Sequence, residues 1–568
     1  MAASEPGMDK YSRQRGLVAQ DLLADADVTV HGTGPALTYL LQCLAMLGVG
    51  ARHGRIRLCL DDRAVAEPDL ADQFLLRAED LGQPLAAALA GRIGRLDPAV
   101  TVEAGPPLPT GVAVAVPAAH EVERLAGLGG IAVYGQVLPT AVHVGPEAVA
   151  GAGPANVLTA ALATVCGGLT AQAVINRIGA LVSGPAVLSS WVEERLWLSY
   201  GGIGRRALDA RTPFPVLRGL LQGDPGERFQ VLVDGRPVEA RVTTVVDDDN
   251  VVVSLPARTD EPGRAVVRPV RAHAVPVRAL RWSPLANEDV ALPDRLAASR
   301  LLMCGAGALG SWVGAVLAAT PSHGLDLTVV DMDDAVENHN LNRQVLYGVE
   351  DIGRPKATRA VQRLAEINPA MRLRPVQTVI APELEDHLLG EGTRLEIDDP
   401  DIAAQRRRID ELREALAAAD AVLSCPDNQQ TRWVLNRIAE RLGVPFINGA
   451  VDGFVGRVHV CDPADKGRCL VCWLGTAVAQ DPTRRSCTDL VGPAPVPSIV
   501  TSAAIIGGIQ AATLIAELAG HAAAVARFHA LDGAAGTLTG YRAADRDPME
   551  CPDHLIKNSE ELTHVSQP

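Results

Sequence analysis

The chain predicts an α/β fold built twice, with a small β-rich segment between the copies. Three observations carry this. A glycine-rich turn, GAGALG from Gly305 to Gly310, joins an apolar strand-like run to the helical pattern SWVGAVLAAT, and the same order recurs upstream in VTVHGTGPAL. The segment Asp69 to Pro98 aligns without a gap on Asn340 to Pro369. Apolar residues make up 48% of the 568, enough to build large cores in each copy.

The second copy carries the richer chemistry. Gly305, Gly307 and Gly310 let the backbone turn tightly and bring amide groups to phosphate at a helix N-terminus. This is a Rossmann-like signature, and alone it does not separate a dinucleotide site from other uses. LDLTVVD then reads as a buried strand ending at Asp331, placed to bind ribose hydroxyls. Asn340, Arg343 and Lys356 follow just beyond it, in NLNRQ and GRPK. A nicotinamide site has little use for that set, whereas the charges of a triphosphate need such donors. The bland reading makes Arg343 and Lys356 solvated surface charges and Asp427 a turn residue, but their order and motif context favour one nucleotide pocket.

DMDDAVENHNLNRQVLYGVEDIGRPK, with SCPDNQQTR and NGAVDGFVGRV further on, resembles the adenylyltransferase family of ubiquitin-activating enzymes and of the thiamine and molybdopterin sulfur-carrier activators. The resemblance implies ATP-dependent adenylation of the C-terminal carboxylate of a small ubiquitin-like, β-grasp protein, with release of pyrophosphate. It assigns ribose to Asp331, the phosphates to Asn340, Arg343 and Lys356, and Mg2+ to Asp427. A metal and cations are what attack at the α-phosphate requires, since they absorb the charge of departing pyrophosphate. The loop from Asp331 to Asn340 is one residue longer than the family pattern, so Asp333 is an alternative ribose ligand.

The first copy has lost these groups. Leu37 stands at the place of Gly310, Asp69 at Asn340, Asp72 at Arg343, Leu85 at Lys356 and Ala118 at Asp427. An aspartate in place of a phosphate-binding arginine repels the ligand. The pairing of an inactive with an active copy resembles the eukaryotic activating enzymes and implies an intramolecular pseudo-dimer. The boundaries expected are 1–190 for the inactive adenylation domain, 191–293 for a β-rich insert or linker, 294–555 for the active domain and 556–568 for a polar tail. The opening YSRQ resembles a family element that crosses the dimer interface, so Arg13 is expected to reach the opposite triphosphate as an arginine finger. Its alternative is an exposed arginine near the N-terminus.

Cys469 and Cys472 form CLVC, and Cys551 and His554 form CPDH. Two close pairs far apart suit one closed tetrahedral Zn2+, which is structural rather than catalytic. The family places such a zinc here, normally with four cysteines. Cys487, in DPTRRSCTDLVGPAPVP, follows Arg484 and Arg485, which favour the thiolate. Its Cys-Thr pair resembles the catalytic one of ubiquitin-activating enzymes, where the thiol takes the acyl group as a thioester. A structural thiol, or one serving persulfide chemistry as in the sulfur-carrier branch, is the alternative. Cys304, Cys425 and Cys461, with Cys43, Cys59 and Cys166 in the first copy, read as core residues.

The stretch between the copies is rich in valine and turn residues, contains no cysteine, and reads as strands joined by hairpins. It suits a docking module or a packing spacer. PSIVTSAAIIGGIQAATLIAELAG and the matching NVLTAALATVCGGLTAQAVINRI are very apolar, but their Ser, Thr, Gln and small residues indicate buried interface helices rather than membrane spans. IDELREALAAAD, after Arg406 to Arg408, reads as a solvated helix of mixed charge. A net charge of −15 argues against general nucleic-acid binding. No apolar leader opens the sequence, and reduced thiols with ATP chemistry lead to the expectation of a cytoplasmic protein. The Ala, Arg and Gly bias suggests a bacterial source. Expected partners are the carrier protein and a conjugating enzyme or sulfurtransferase, with further homo-oligomerisation open. The rival readings are an adenylating enzyme for a peptide or a tRNA-borne carboxylate, and a non-catalytic scaffold.

Overall fold

The computed structural model describes residues 10–138, 141–149, 156–181, 186–187, 195–201, 204–208, 228–233, 236–247, 250–254, 266–267, 277–281, 292–322, 324–332, 335–390, 400–463, 469–474, 490–491, 494–495, 497–519, 527–534 and 536–541. Two sheets dominate, each starting from the same parallel core. In the first, β1 (Asp27–His31), β2 (Arg55–Cys59), β3 (Val102–Ala104), β4 (Val112–Ala115) and β5 (Val133–Leu138) stand in the order β3-β2-β1-β4-β5, all parallel. The antiparallel β6 (Ala141–Gly145) follows, and β7 (Val277–Arg281), from the far end of the expected insert, pairs antiparallel beyond it.

The second sheet repeats this order with β8 (Arg300–Cys304), β9 (Asp326–Asp331), β10 (Arg372–Gln377), β11 (Ala421–Ser424) and β12 (Phe446–Asp452) parallel. Antiparallel β13 (Val455–Cys461), β14 (Phe528–Asp532) and β15 (Thr537–Tyr541) extend it to eight strands. The central strands are covered on both faces, which is why LLMC and AVLS read as unbroken apolar runs rather than alternating ones. Between the copies, Arg195–Gly201, Gly204–Leu208, Arg228–Val233, Arg236–Asp247 and Asn250–Ser254 form a separate antiparallel sheet of five strands.

The helices that matter for the site are α1 (Leu37–Leu47), α2 (Thr159–Ile178), α3 (Ala308–Ala319), α4 (Lys356–Ile367), α5 (Pro400–Ala418), α6 (Gln429–Leu442) and α7 (Val500–Leu518). Helices α2 and α7 are long and apolar enough to cross a membrane, but nine-tenths of each lies inside the protein. They cross each other at glycines. A Cβ on Gly508 would meet Ala161 O at 2.9 Å, and one on Gly168 would meet Ile505 Cγ1 at 2.8 Å, so only hydrogen lets the helices approach this closely. Thr501 Oγ1 donates to Gln172 Oε1 at 2.6 Å across the same crossing. One apolar cluster runs through both copies, with Phe74 edge-on to Trp312 at 6.0 Å.

Structural residues are kept where chemical ones are not. Buried Asp80 and Asp351 occupy matching places, each accepting from a nearby backbone amide and from an arginine of the following helix, Arg92 and Arg363. Two expectations need correction. Helix α5 is not solvated all round, because Leu412, Ala415 and Leu416 are buried in the core beside β8 and β11. Cys59 is half-buried rather than core, and its thiol donates to Gly105 O. Cys43, Cys166 and Cys461 are buried, as the sequence suggests.

Candidate active site

At the C-terminal ends of β8, β9 and β11, where parallel α/β sheets place their ligands, lies a cavity of about 430 Å³. Gly305 and Gly307 form its floor, Asp331 enters from the end of β9, and Asn340, Arg343, Lys356 and Asp427 complete the wall. Seven of the expected nucleotide ligands are therefore brought to one space. Gly310 lies beneath the turn rather than in the lining: a Cβ there would sit 1.8 Å from Gly305 O, so any side chain forces the turn open. Asp333, Cys487, Cys551 and His554 lie outside the described residues.

Local structure fixes each group. Asp331 Oδ2 accepts from Ala306 N at 2.6 Å, which ties the glycine turn to the neighbouring strand. Asn340 Oδ1 accepts from Glu337 N at 3.0 Å and closes the short turn that presents Arg343. The Arg343 guanidinium donates to His339 O at 2.6 Å and Asn342 Oδ1 at 2.8 Å, and its carbonyl accepts from Trp312 Nε1 at 3.0 Å. Lys356 opens α4, whose first turn is held by the Tyr347 hydroxyl bridging Lys356 O and Ala306 O. Asp427 immediately precedes Asn428, the cap of α6, whose side chain accepts from Thr431 N at 2.8 Å.

Arg13 arrives from the first copy. It is buried, its carbonyl accepts from Ser498 N at 2.7 Å, and its guanidinium lies 3.2 Å from His339 Nε2. The exposed-arginine alternative does not hold. Burial and the cations Arg343, Arg13 and Lys356 push the His339 pKa down to about 3, so the imidazole is neutral and can accept from Arg13. Gln14 receives a longer contact from Asn342 Nδ2 at 3.4 Å, fastening the same segment to the same motif.

Several lining residues were not singled out from the sequence. His339 sits inside the quoted motif. Arg432 sits at the end of SCPDNQQTR and binds Asn448 Oδ1 at 2.7 Å as well as the carbonyls of Gly449 and Pro426, so it braces the loop bearing Asp427. Cys304 and Cys425, read as core, are buried but also border the cavity, where burial raises both thiol pKa values, that of Cys425 to about 12. Such thiols are poor nucleophiles at neutral pH. Cys469 and Cys472 are brought together elsewhere, with sulfurs 3.7 Å apart.

Fold and cavity together define a nucleotide-binding α/β domain whose donors suit a polyphosphate. Residues 278–553 match the ThiF family, and the chain belongs to it. It is 31% identical over 250 residues to the sulfur carrier protein ThiS adenylyltransferase of Escherichia coli, a match covering 43% of this chain and 83% of that protein. It is 32% identical over 180 residues to the SAMP-activating enzyme E1 of Haloferax volcanii, covering 31% of this chain and 54% of that one. The molybdopterin-synthase adenylyltransferase of Escherichia coli is 29% identical over 228 residues, covering 40% and 76%.

The glycine turn gives a direct test. Gly310→Ala is expected to lower ATP affinity by about tenfold or more, since the displaced amides can no longer address the phosphates. Equilibrium binding of a fluorescent ATP analogue measures this, and unchanged affinity would show that the turn is not the phosphate site.

Proposed function

We propose that the chain transfers AMP from ATP to the C-terminal carboxylate of a small ubiquitin-like or sulfur-carrier protein. The observation that carries this reading is the convergence of Asp331, Asn340, Arg343, Lys356 and Asp427 on one cavity in a chain of the ThiF family. A carboxylate oxygen of the carrier attacks the α-phosphorus. The bond to the bridging oxygen breaks, pyrophosphate leaves, and an acyl adenylate remains. Asp331 orients the ribose, while Asn340, Arg343 and Lys356 hold the phosphates in line and take up charge on the leaving group. Asp427 would hold magnesium, which supplies further charge neutralisation when bound. Arg13, buried beside His339, adds a cation from the other copy.

The two copies act as an intramolecular pseudo-dimer in which the first no longer turns over nucleotide. The helix crossing of α2 with α7 and the docking of Arg13 support this arrangement. So does Glu121. Its buried carboxylate accepts from Thr33 N at 2.7 Å, Thr33 Oγ1 at 3.1 Å and Ala118 N at 2.8 Å, which sets a negative charge beside the glycine turn on the side where the second copy has the uncharged Gln430. A peptide or tRNA carboxylate as acceptor, and a scaffold that only binds, are the competing readings. ATP–pyrophosphate exchange separates them: exchange is expected only with a Gly-Gly-ended carrier, and to fall about 100-fold or more in Asp427→Ala and about tenfold or more in Arg13→Ala. Exchange without a carrier, or none at all, would remove the proposal.

Cys487 is proposed to take the acyl group from the adenylate as a thioester, expelling AMP, and to hand it to a conjugating enzyme or a sulfurtransferase. After incubation with carrier and ATP, a reductant-sensitive adduct should form in the wild type and be missing in Cys487→Ala. Persistence of that adduct in the variant assigns the chemistry to another thiol.

Zinc is proposed as a structural ion held by Cys469, Cys472, Cys551 and His554. Two thiolates on one tetrahedral zinc lie about 3.8 Å apart, given Zn–S bonds of ~2.3 Å, and the 3.7 Å separation of the first pair suits that. Metal analysis should find one zinc per chain, lost in Cys469→Ser together with several degrees of Tm; a metal-free, equally stable wild type would exclude it. The free thiols and the use of ATP support a cytoplasmic setting.

A further inference from the structure

The first copy retains a cavity of about 360 Å³ at the place equivalent to the nucleotide site, and its polar groups have been replaced rather than simply deleted. Leu37, Leu76, Leu85 and Leu89 form the apolar part of its wall, and Arg63, Asp69 and Gln136 are among its polar lining. Into this lining come two polar side chains whose hydrogen-bonding capacity is unmet. Thr38 is only 7% exposed and its Oγ1 has no partner; Asp72 is half-buried and its Oδ1 is buried without one. A native fold seldom leaves such atoms unpaired without a use for them.

Asp72 is also held in an unusual way. It has φ +54°, the one positive value among the described non-glycine residues, and the Tyr39 hydroxyl pins its carbonyl at 2.8 Å. Strain of this kind persists where the surroundings impose a side-chain direction. Burial raises its carboxyl pKa to about 6, which leaves it ionised at neutral pH. The other charged groups do not neutralise it. Arg63 is engaged by both carboxylate oxygens of Asp69 at 2.6 and 2.7 Å, and Glu121 is held by the amides of the turn and by Arg124. His120 stands exposed at the rim.

From this we infer that the first copy's cavity is a binding site for a primary alkylammonium group, with the ammonium between Asp72 and Thr38 and the aliphatic stem along the leucines. A carboxylate and a hydroxyl beside a group of leucines complement one cation on a hydrocarbon chain, and Asp72 and Asp69 oppose any phosphate. The chemistry is shared by free aliphatic amines and by lysine side chains. This inference is independent of the reaction assigned to the second copy.

Saturation-transfer NMR on the full chain, with ATP and magnesium filling the second copy, tests it using n-pentylamine and Nα-acetyl-lysine methylamide as probes and n-pentanol and pentanoate as neutral and anionic controls. Saturable binding of an amine, weakened about tenfold or more in Asp72→Asn and in Thr38→Val, is expected. Binding of pentylamine alone assigns the site to free amines, and binding of both probes to a lysine side chain. Asparagine tolerates the left-handed backbone, so Asp72→Asn should fold, which retained ATP binding verifies; should it fail, Thr38→Val decides. No saturable amine binding, equal binding of pentanoate, or full affinity in the variants would overturn the inference.

Discussion

A tight glycine turn at the end of a parallel strand leaves backbone amides aimed at open space, and those donors must be met by something. Both copies obey this constraint and answer it differently. In the second, Asp331 takes the amide of Ala306 from the neighbouring strand end and leaves the mouth of the turn accessible. In the first, the residue at that strand end is Leu60, and the amide of Thr33 is taken by Glu121 from the opposite wall. The residue matching Glu121 in the second copy is Gln430, which carries no charge and lines the cavity. Both turns therefore hold a carboxylate on the same amide, and what differs is the wall from which it comes.

The second copy has the opposite problem, since it concentrates cations. Arg13, Arg343 and Lys356 all bear on His339, and a charged imidazole among them would be repelled. Because the ring is neutral it can serve as an acceptor, and a segment from the other copy is fastened beside Arg343 at a ring nitrogen that also has the Glu337 carboxylate 3.3 Å away. Arg13, Arg343 and Lys356 are all buried, so any anion brought beside them would be attracted with little water to screen it.

Much of this is legible in the sequence because it is written in contiguous motifs. The glycine turn, the strand ending at Asp331 and the NLNRQ and GRPK segments specify their own local structure, and the gapless alignment of Asp69–Pro98 with Asn340–Pro369 exposes the duplication. The apolar run containing Gly508 was likewise readable as a buried helix, because a membrane span has no need of Thr501 or Gln510. What escaped depends on pairs distant in the chain. Glu121 is a single acidic residue 88 positions from the hydroxyl of Thr33 that it binds, and nothing local marks it as a plug. The addition of β7 to the first sheet rests on pairing across more than a hundred residues. The mixed charge of α5 reads as a solvated helix because a few apolar residues among many charges reveal their buried face only when β8 and β11 are beside them.

The packing between the copies ties the first to the cavity of the second. Helix α7 packs its small residues against α2 on one side, while Gln510 on the same helix donates to Ser424 O at 3.1 Å, the end of the strand that leads to Asp427, and to Ile447 O at 2.8 Å in β12. Removing the first copy would expose a helix almost wholly buried, at ~25 cal/mol for each Å² of apolar surface returned to water, and would loosen the strands that shape the active cavity. What the first copy lends to the second is its α2 face and the buried Arg13, both outside the lining of its own cavity. Its cavity supplies neither. A pocket held open by the fold and not needed for that support is where ligand specificity can change at little cost to the neighbouring copy.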